Sequence, residues 1–216
     1  MKLPIALLAP HFKISALPAK EHAAAYTAQS GLHDLGGYIE DYSAAISLFD
    51  FSLAQYGPPQ SERWALIAGW DGAMTIYHFG TALEGIRSSL TMCPTIRSAM
   101  DYDVFRRALS DFRAKFPGYE KTRHAVAHAA DKMKTPSKLA KHSYSGPHRA
   151  GGFNISNSTE LTLTDSFSGR VFVSTWEGEI VTHELSKATL NNLMTVAQAV
   201  WRAFPPASAA PAAQRP

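Results

Sequence analysis

Three residues with proton-carrying or phosphate-binding side chains lie close together in one segment of the chain: Arg123, His124 and His128. Arginine keeps its charge at all physiological pH values and can bind a phosphate through two parallel hydrogen bonds. Histidine exchanges a proton near neutral pH. Because RNA supplies its own nucleophile, the 2′-hydroxyl, an arginine and a histidine can cleave it without a metal ion or another cofactor. Arg123 and His128 are therefore the predicted catalytic pair.

A basic segment follows, and residues 132–149 contain no acidic residue. Its cations exceed the formal net charge of the whole chain, which is +3. A local cluster of this kind indicates a polyanionic partner. The predicted RNA-binding residues are Lys132, Lys134, Lys138, Lys141 and Arg149. The alternative is a lysine-rich loop whose charges are simply solvated.

The bulk composition excludes several classes of protein. A hydrophobic fraction of 45% and a charged fraction of 18% are typical of a globular chain. Cys93 is the single cysteine, so no disulfide can form within the chain. The first ten residues are a poor secretory signal, and no stretch approaches the roughly 20 apolar residues of a membrane helix. The sequence predicts a cytoplasmic protein without a membrane span.

The elements that must position these residues are mostly helical. Apolar residues recur at helical spacing in three segments, which predicts helices over 34–57, 64–90 and 101–116. An alanine-rich segment that ends at Gly31 predicts a first helix over 18–31, and a further helix is predicted over 119–133, between Pro117-Gly118 and Pro136. Lys, Ser, Gly and Pro then predict a long loop over 135–152. Strands are predicted over 161–164, 170–176 and 179–185, and Ser186 is the predicted N-cap of a last helix.

The predicted fold class is mainly α, a helical bundle with a small antiparallel β-meander inserted before the last helix. The meander occupies about 153–185, and residues 1–204 are predicted to form a single domain. The meander is too small to be stable without packing on the helices. Residues 205–216 are rich in proline and alanine and predict a disordered tail.

The run Arg-His-Ala-Val-Ala-His from Arg123 to His128 resembles the Arg-x4–6-His motif of the HEPN superfamily. The resemblance implies a helical bundle that is commonly a homodimer. It also implies a metal-independent endoribonuclease of a defence or toxin–antitoxin type system, with RNA as substrate and an antitoxin protein as a further partner. Carried over by position, Arg123 and His128 are catalytic and His124 is the accessory polar residue, where asparagine or aspartate is more usual.

Helix geometry leaves other interpretations open. Positions five apart lie about 140° apart around an ideal helix, so Arg123 and His128 do not share a face. Their convergence needs a bent arginine side chain or a site assembled between two protomers. His124 and His128 do share a face, and with Asp131 they could hold a metal ion. In a structural alternative the histidines hydrogen-bond within the bundle and Glu120 pairs with Arg123. A non-catalytic interaction module on the same fold is the alternative function.

Overall fold

The computed structural model describes residues 9–55, 57, 59–150, 153–155 and 160–205, with only the backbone described for Gln55, 148–150 and 153–155. Helices dominate this part of the chain. They are α1 (His22–Gln55), α2 (Gln60–Thr91), α3 (Pro94–Ala99), α4 (Tyr102–Lys115), α5 (Tyr119–Ala127), α6 (Ala129–Lys132), α7 (Pro136–His142) and α8 (Lys187–Arg202). None of the described helices is long and apolar enough to cross a membrane.

The strands lie between α7 and α8 and pair antiparallel. A hairpin is formed by β1 (His148–Ala150) and β2 (Phe153–Ile155). A separate sheet contains β3 (Ser166–Ser168), β4 (Val171–Trp176) and β5 (Glu179–Glu184), in that order. Glu177 and Gly178, both at positive φ, form the two-residue turn between β4 and β5. The prediction of a mainly α fold with a small antiparallel sheet before the last helix is confirmed.

The first helix is continuous, although a break was predicted between 31 and 34. A Cβ atom at Gly31 would lie 2.8 Å from Cγ1 of Ile86, so this glycine allows α1 and α2 to approach closely. The cost of a glycine inside a helix is about 1 kcal/mol, which tertiary packing readily offsets. Gly31 is therefore a packing residue rather than a helix stop.

The predicted long loop over 135–152 is wrong at both ends, because α7 begins at Pro136 and β1 occupies His148–Ala150. The Thr135 hydroxyl accepts a hydrogen bond from the Lys138 backbone N–H at 3.2 Å, and proline is favoured at the first position of a helix. Capping therefore determines the structure here, although the segment is rich in residues typical of loops. The predicted cap of the last helix is confirmed, since Ser186 Oγ accepts from the Thr189 N–H at 3.2 Å.

The predicted strand over 161–164 is also wrong. Only Leu161 forms a β-bridge there, to Tyr144. Asp165 has a φ of 51°, and this left-handed residue turns the chain before β3 begins at Ser166. The remaining strand of the sheet, β3, therefore lies between the two segments 161–164 and 170–176 that were predicted as strands.

The chain divides into two compact units. The first unit contains the described residues up to Glu40, then His78–Lys115, then those from Asn191 onward. Its core is built from apolar side chains of α1, α2, α4 and α8, with the rings of Phe79 and Phe112 stacked 5.5 Å apart. The prediction of a single domain over 1–204 stays a prediction, and residues 206–216 of the predicted disordered tail lie outside the described residues.

The second unit, Asp41–Tyr77 and Phe116–Leu190, contains the sheet and the candidate site. Two glycines of α2 allow β4 and β5 to lie close to that helix. A Cβ atom at Gly69 would be 2.7 Å from a ring carbon of Phe172, and one at Gly72 would be 2.7 Å from Leu185. The buried Tyr42 hydroxyl donates to the Glu184 carbonyl at 2.7 Å. The sheet is thus packed directly on helices of this unit.

Candidate functional site

Helix α5 carries the motif and packs against β4 and β5. It begins after Gly118, which has a φ of 69°, a conformation that favours glycine. Thr122 and Ala125 form its buried face. The side chains of His124 and His128 are exposed. Both imidazoles are therefore accessible to solvent, whereas Thr122 and Ala125 pack inward.

The motif helix ends at His128, which corrects the prediction of one helix over 119–133. His128 has φ −113° and ψ 20°, and its backbone N–H still donates to the His124 carbonyl at 3.1 Å. Helix α6 starts at the next residue. His128 therefore sits at a bend rather than on a regular helical face, and spacing on an ideal helix does not describe its position.

The two motif histidines form a parallel pair. Their ring centroids are 6.0 Å apart and their planes differ by 13°. Trp176, the last residue of β4, lies beside both rings, with its centroid 6.1 Å from that of His124 and 5.8 Å from that of His128. His142, at the end of α7, stacks on Trp176 at 4.2 Å. We call His124, His128, His142 and Trp176 the histidine–tryptophan cluster.

Arg123 is directed toward this cluster. Its Nη1 lies 3.3 Å from Nδ1 of His124, and its guanidinium carbon lies 5.1 Å from the centroid of the Tyr77 ring. Its Nε is buried, and no described group accepts a hydrogen bond from it. Glu120 instead accepts from the Tyr119 hydroxyl at 3.2 Å. Among the described residues, Arg123 therefore pairs with His124 and not with Glu120.

Lys132 was predicted to bind the RNA backbone, and its position contradicts this. The side chain is fully buried. Its Nζ donates to Ser174 Oγ at 2.8 Å and to the Thr175 carbonyl at 3.2 Å. Burial lowers the pKa of Lys132, while the charge of Asp165 opposes that change. A buried ammonium group cannot reach a phosphate in solvent, so Lys132 is a structural residue between α6 and β4.

The remaining lysines of the basic segment lie at the surface but are paired with acids outside it. Lys138 and Lys134 lie 2.6 Å and 3.1 Å from the two carboxylate oxygens of Asp131, and their hydrogen bonds lower the pKa of Asp131 to about 2. Lys141 lies 3.5 Å from Glu177. The side chain of Arg149 is outside the described residues. The positive charge of the acid-free segment is thus partly neutralised by the carboxylates of Asp131 and Glu177.

The metal alternative receives no support from these positions. Asp131 is occupied by the two lysines, whereas His124 and His128 lie beside Trp176. The described residues contain no group of three or more histidine, cysteine or acidic side chains arranged to hold a metal ion.

The sequence motifs do not include Trp176, which the structure places beside the motif histidines, or His142, which stacks on Trp176. His142 is buried, and its Nδ1 accepts from the Glu177 N–H at 3.1 Å. Burial and the nearby Lys141 lower the pKa of His142, while Glu177 opposes the change. No local pattern links these residues to the motif, because only the packing of β4 on α5 and α7 brings them together.

No known family model matches this chain, and no curated protein or solved structure is significantly similar to it. The functional argument therefore depends on the residues of the site themselves.

Proposed function

We propose that this protein is a metal-independent endoribonuclease whose site is formed by Arg123, His124 and His128. The observation that carries the proposal is the arrangement at the end of α5. An arginine Nη1 lies 3.3 Å from one imidazole, and that imidazole is paired with a second at 6.0 Å. Both imidazoles are exposed to solvent and therefore accessible to a polymer substrate.

The chemistry follows from these side chains. His128 takes the proton of the 2′-hydroxyl, and the 2′-oxygen attacks the adjacent phosphorus. Arg123 donates to the phosphoryl oxygens and stabilises the negative charge that develops on them. The bond to the 5′-oxygen breaks, which leaves a 2′,3′-cyclic phosphate and a 5′-hydroxyl. DNA lacks the nucleophile and is not a substrate.

The rest of the proposal is supported by the HEPN resemblance of residues 123–128. It includes a cytoplasmic homodimer and a defence or toxin–antitoxin type system with an antitoxin partner. Lys134, Lys138, Lys141 and Arg149 would contact the RNA backbone. Such phosphate contacts weaken as salt is added, with a slope of about 0.7 in log affinity per contact for single strands.

The test is cleavage of a single-stranded RNA by the purified protein in excess EDTA. We expect Arg123→Ala and His128→Ala each to lower the cleavage rate by 100-fold or more, about the value of one proton carrier or one charge stabiliser. His33→Ala, which changes an exposed histidine of the first unit, is the matched control and should leave the rate unchanged. Intact RNA, or activity that survives both motif substitutions, would refute the enzyme.

A second candidate is a non-catalytic interaction module. The observation that favours it is the pairing of Lys134 and Lys138 with Asp131 and of Lys141 with Glu177, which reduces the positive charge offered to a polyanion. Under this alternative the purified protein neither cleaves RNA nor binds it in a salt-dependent way, and Asp131→Asn leaves that result unchanged.

A further inference from the structure

We propose that His124 and His128 of one chain form a complete acid–base pair, with His128 as the base and His124 as the acid that protonates the leaving oxygen. The inference rests on the proposed endoribonuclease function. It gives His124 a role beyond that of an accessory polar residue, and it makes the proton transfers independent of a second protomer.

The first support is the geometry of the pair. In-line displacement places the attacking 2′-oxygen and the leaving 5′-oxygen on opposite sides of the phosphorus. A base beside the attacking oxygen and an acid beside the leaving oxygen would therefore stand on opposite sides of one phosphate group. The rings of His124 and His128 are 6.0 Å apart, nearly parallel and both exposed, which suits a phosphate held across their edges. His124 lies in the last turn of α5 and His128 directly follows that helix, so both rings come from one short stretch of a single chain.

The second support is the contact between Arg123 and His124. A guanidinium can only donate hydrogen bonds, so Nδ1 of His124 is the acceptor and the proton of the neutral ring sits on Nε2. A bound phosphate competes for the guanidinium through stronger, bidentate hydrogen bonds. When Arg123 turns to the phosphate, Nδ1 of His124 is released from this contact, and both ring nitrogens are then available for the proton transfer.

Trp176 supplies a third support. Its ring centroid lies 6.1 Å from that of His124 and 5.8 Å from that of His128, so the indole borders both imidazoles on one side. Its position is fixed by the buried His142, whose ring stacks on it at 4.2 Å and whose Nδ1 accepts from the Glu177 N–H. Trp176 is thus a positioning residue for the pair.

The proposed step balances in protons and bonds. The 2′-hydroxyl proton passes to His128 as the bond from the 2′-oxygen to phosphorus forms. The bond from phosphorus to the 5′-oxygen breaks, and that oxygen takes the proton of the His124 imidazolium. The products are a 2′,3′-cyclic phosphate and a 5′-hydroxyl end. His128 then holds the proton and His124 is neutral, and exchange with water restores both.

The test uses two RNA substrates that differ in one atom. In the second substrate, sulfur replaces the 5′-bridging oxygen of the scissile bond, and the thiolate leaves without an acid. We expect His124→Ala to cleave the oxygen substrate at least 100-fold more slowly than the unchanged protein and the sulfur substrate within 10-fold of it. His128→Ala should be slow on both, because the base is needed for either leaving group. His33→Ala should match the unchanged protein on both.

Each outcome separates the two proposals. If the unchanged protein cleaves neither substrate, the endoribonuclease and the inference both fail. If the unchanged protein cleaves both, the inference alone fails when His124→Ala is fast on the oxygen substrate or equally slow on both substrates. The latter result would assign His124 to phosphate binding or to structure, and a matching thermal unfolding curve would show that the variant is folded.

A mixing experiment tests whether the pair lies within one chain. His124→Ala and His128→Ala are denatured together, refolded and assayed on the oxygen substrate. A pair within one chain predicts no more activity than the sum of the separate variants, since every chain lacks one member. Recovery of a quarter or more of the unchanged rate would show that the two histidines come from different chains and would overturn the proposal.

Discussion

At the scale of single residues, the buried ammonium group of Lys132 donates hydrogen bonds to the Ser174 hydroxyl and to the Thr175 carbonyl, which replace its contacts with water. Lys132→Ala would remove these bonds and leave a cavity, so we expect the free energy of unfolding to fall by about 2–4 kcal/mol. Lys134→Ala is the matched control, because its exposed ion pair should contribute less than about 1 kcal/mol. Chemical denaturation measures both. Equal losses from the two variants would contradict the buried role of Lys132.

His183 links stability to pH. Burial lowers its pKa from 6.5 to about 4, although the hydrogen bond to the Gly69 carbonyl opposes this change. In the unfolded chain His183 binds a proton below about pH 6.5, whereas in the folded chain it binds one only below about pH 4. The neutral, buried His183 therefore contributes fully to the free energy of unfolding above pH 6.5. This contribution, up to about 3 kcal/mol, is lost as the pH falls from 6.5 to 4.

The measurement is the free energy of unfolding of the unchanged protein and of His183→Gln at several pH values. The variant is expected to be less stable at pH 7 but to lose less stability between pH 6.5 and 4, since glutamine does not titrate. His33→Gln should follow the unchanged protein. Parallel curves for His183→Gln and the unchanged protein would rule out this source of the pH dependence.

At the scale of elements, α2 contains glycines with opposite expected effects. A Cβ atom at Gly69 would lie 2.7 Å from Phe172 and 2.8 Å from Phe167, so Gly69→Ala should destabilise the protein by about 1–3 kcal/mol. Gly85 has no neighbour within 4 Å of such an atom, so Gly85→Ala should stabilise it by about 0.5–1 kcal/mol. Thermal unfolding measures both, and shifts of the same sign would contradict the close packing of the sheet on α2.

Element types were largely predictable where local rules act alone. The apolar stripe of α4, the hairpin at Glu177-Gly178 and the Ser186 cap all follow from nearby residues. The bend at His128 was not predictable, because an alanine-rich sequence surrounds it and no glycine or proline marks it. Burial of Lys132 against β4 fixes the position of α6, and that contact joins residues distant in sequence.

At the scale of the whole molecule, the candidate site combines a local motif with a distant partner. The motif of Arg123, His124 and His128 could be read from the sequence because its members lie within six positions. Trp176 and His142 could not, since they reach the motif only when β4 and α7 are packed beside α5. The sequence overstated the free positive charge of the basic segment for the same reason. The acids that pair with its lysines, Asp131 and Glu177, lie outside the segment.

The most direct measurement of the central claim is cleavage of a DNA oligonucleotide that contains one ribonucleotide, incubated with the purified protein in excess EDTA. Proton abstraction from a 2′-hydroxyl by His128, with Arg123 stabilising the phosphate, predicts a single cut on the 3′ side of the ribonucleotide. The new ends should be a 2′,3′-cyclic phosphate and a 5′-hydroxyl. An intact oligonucleotide, cuts within the DNA, or a 5′-phosphate at the new end would contradict the account.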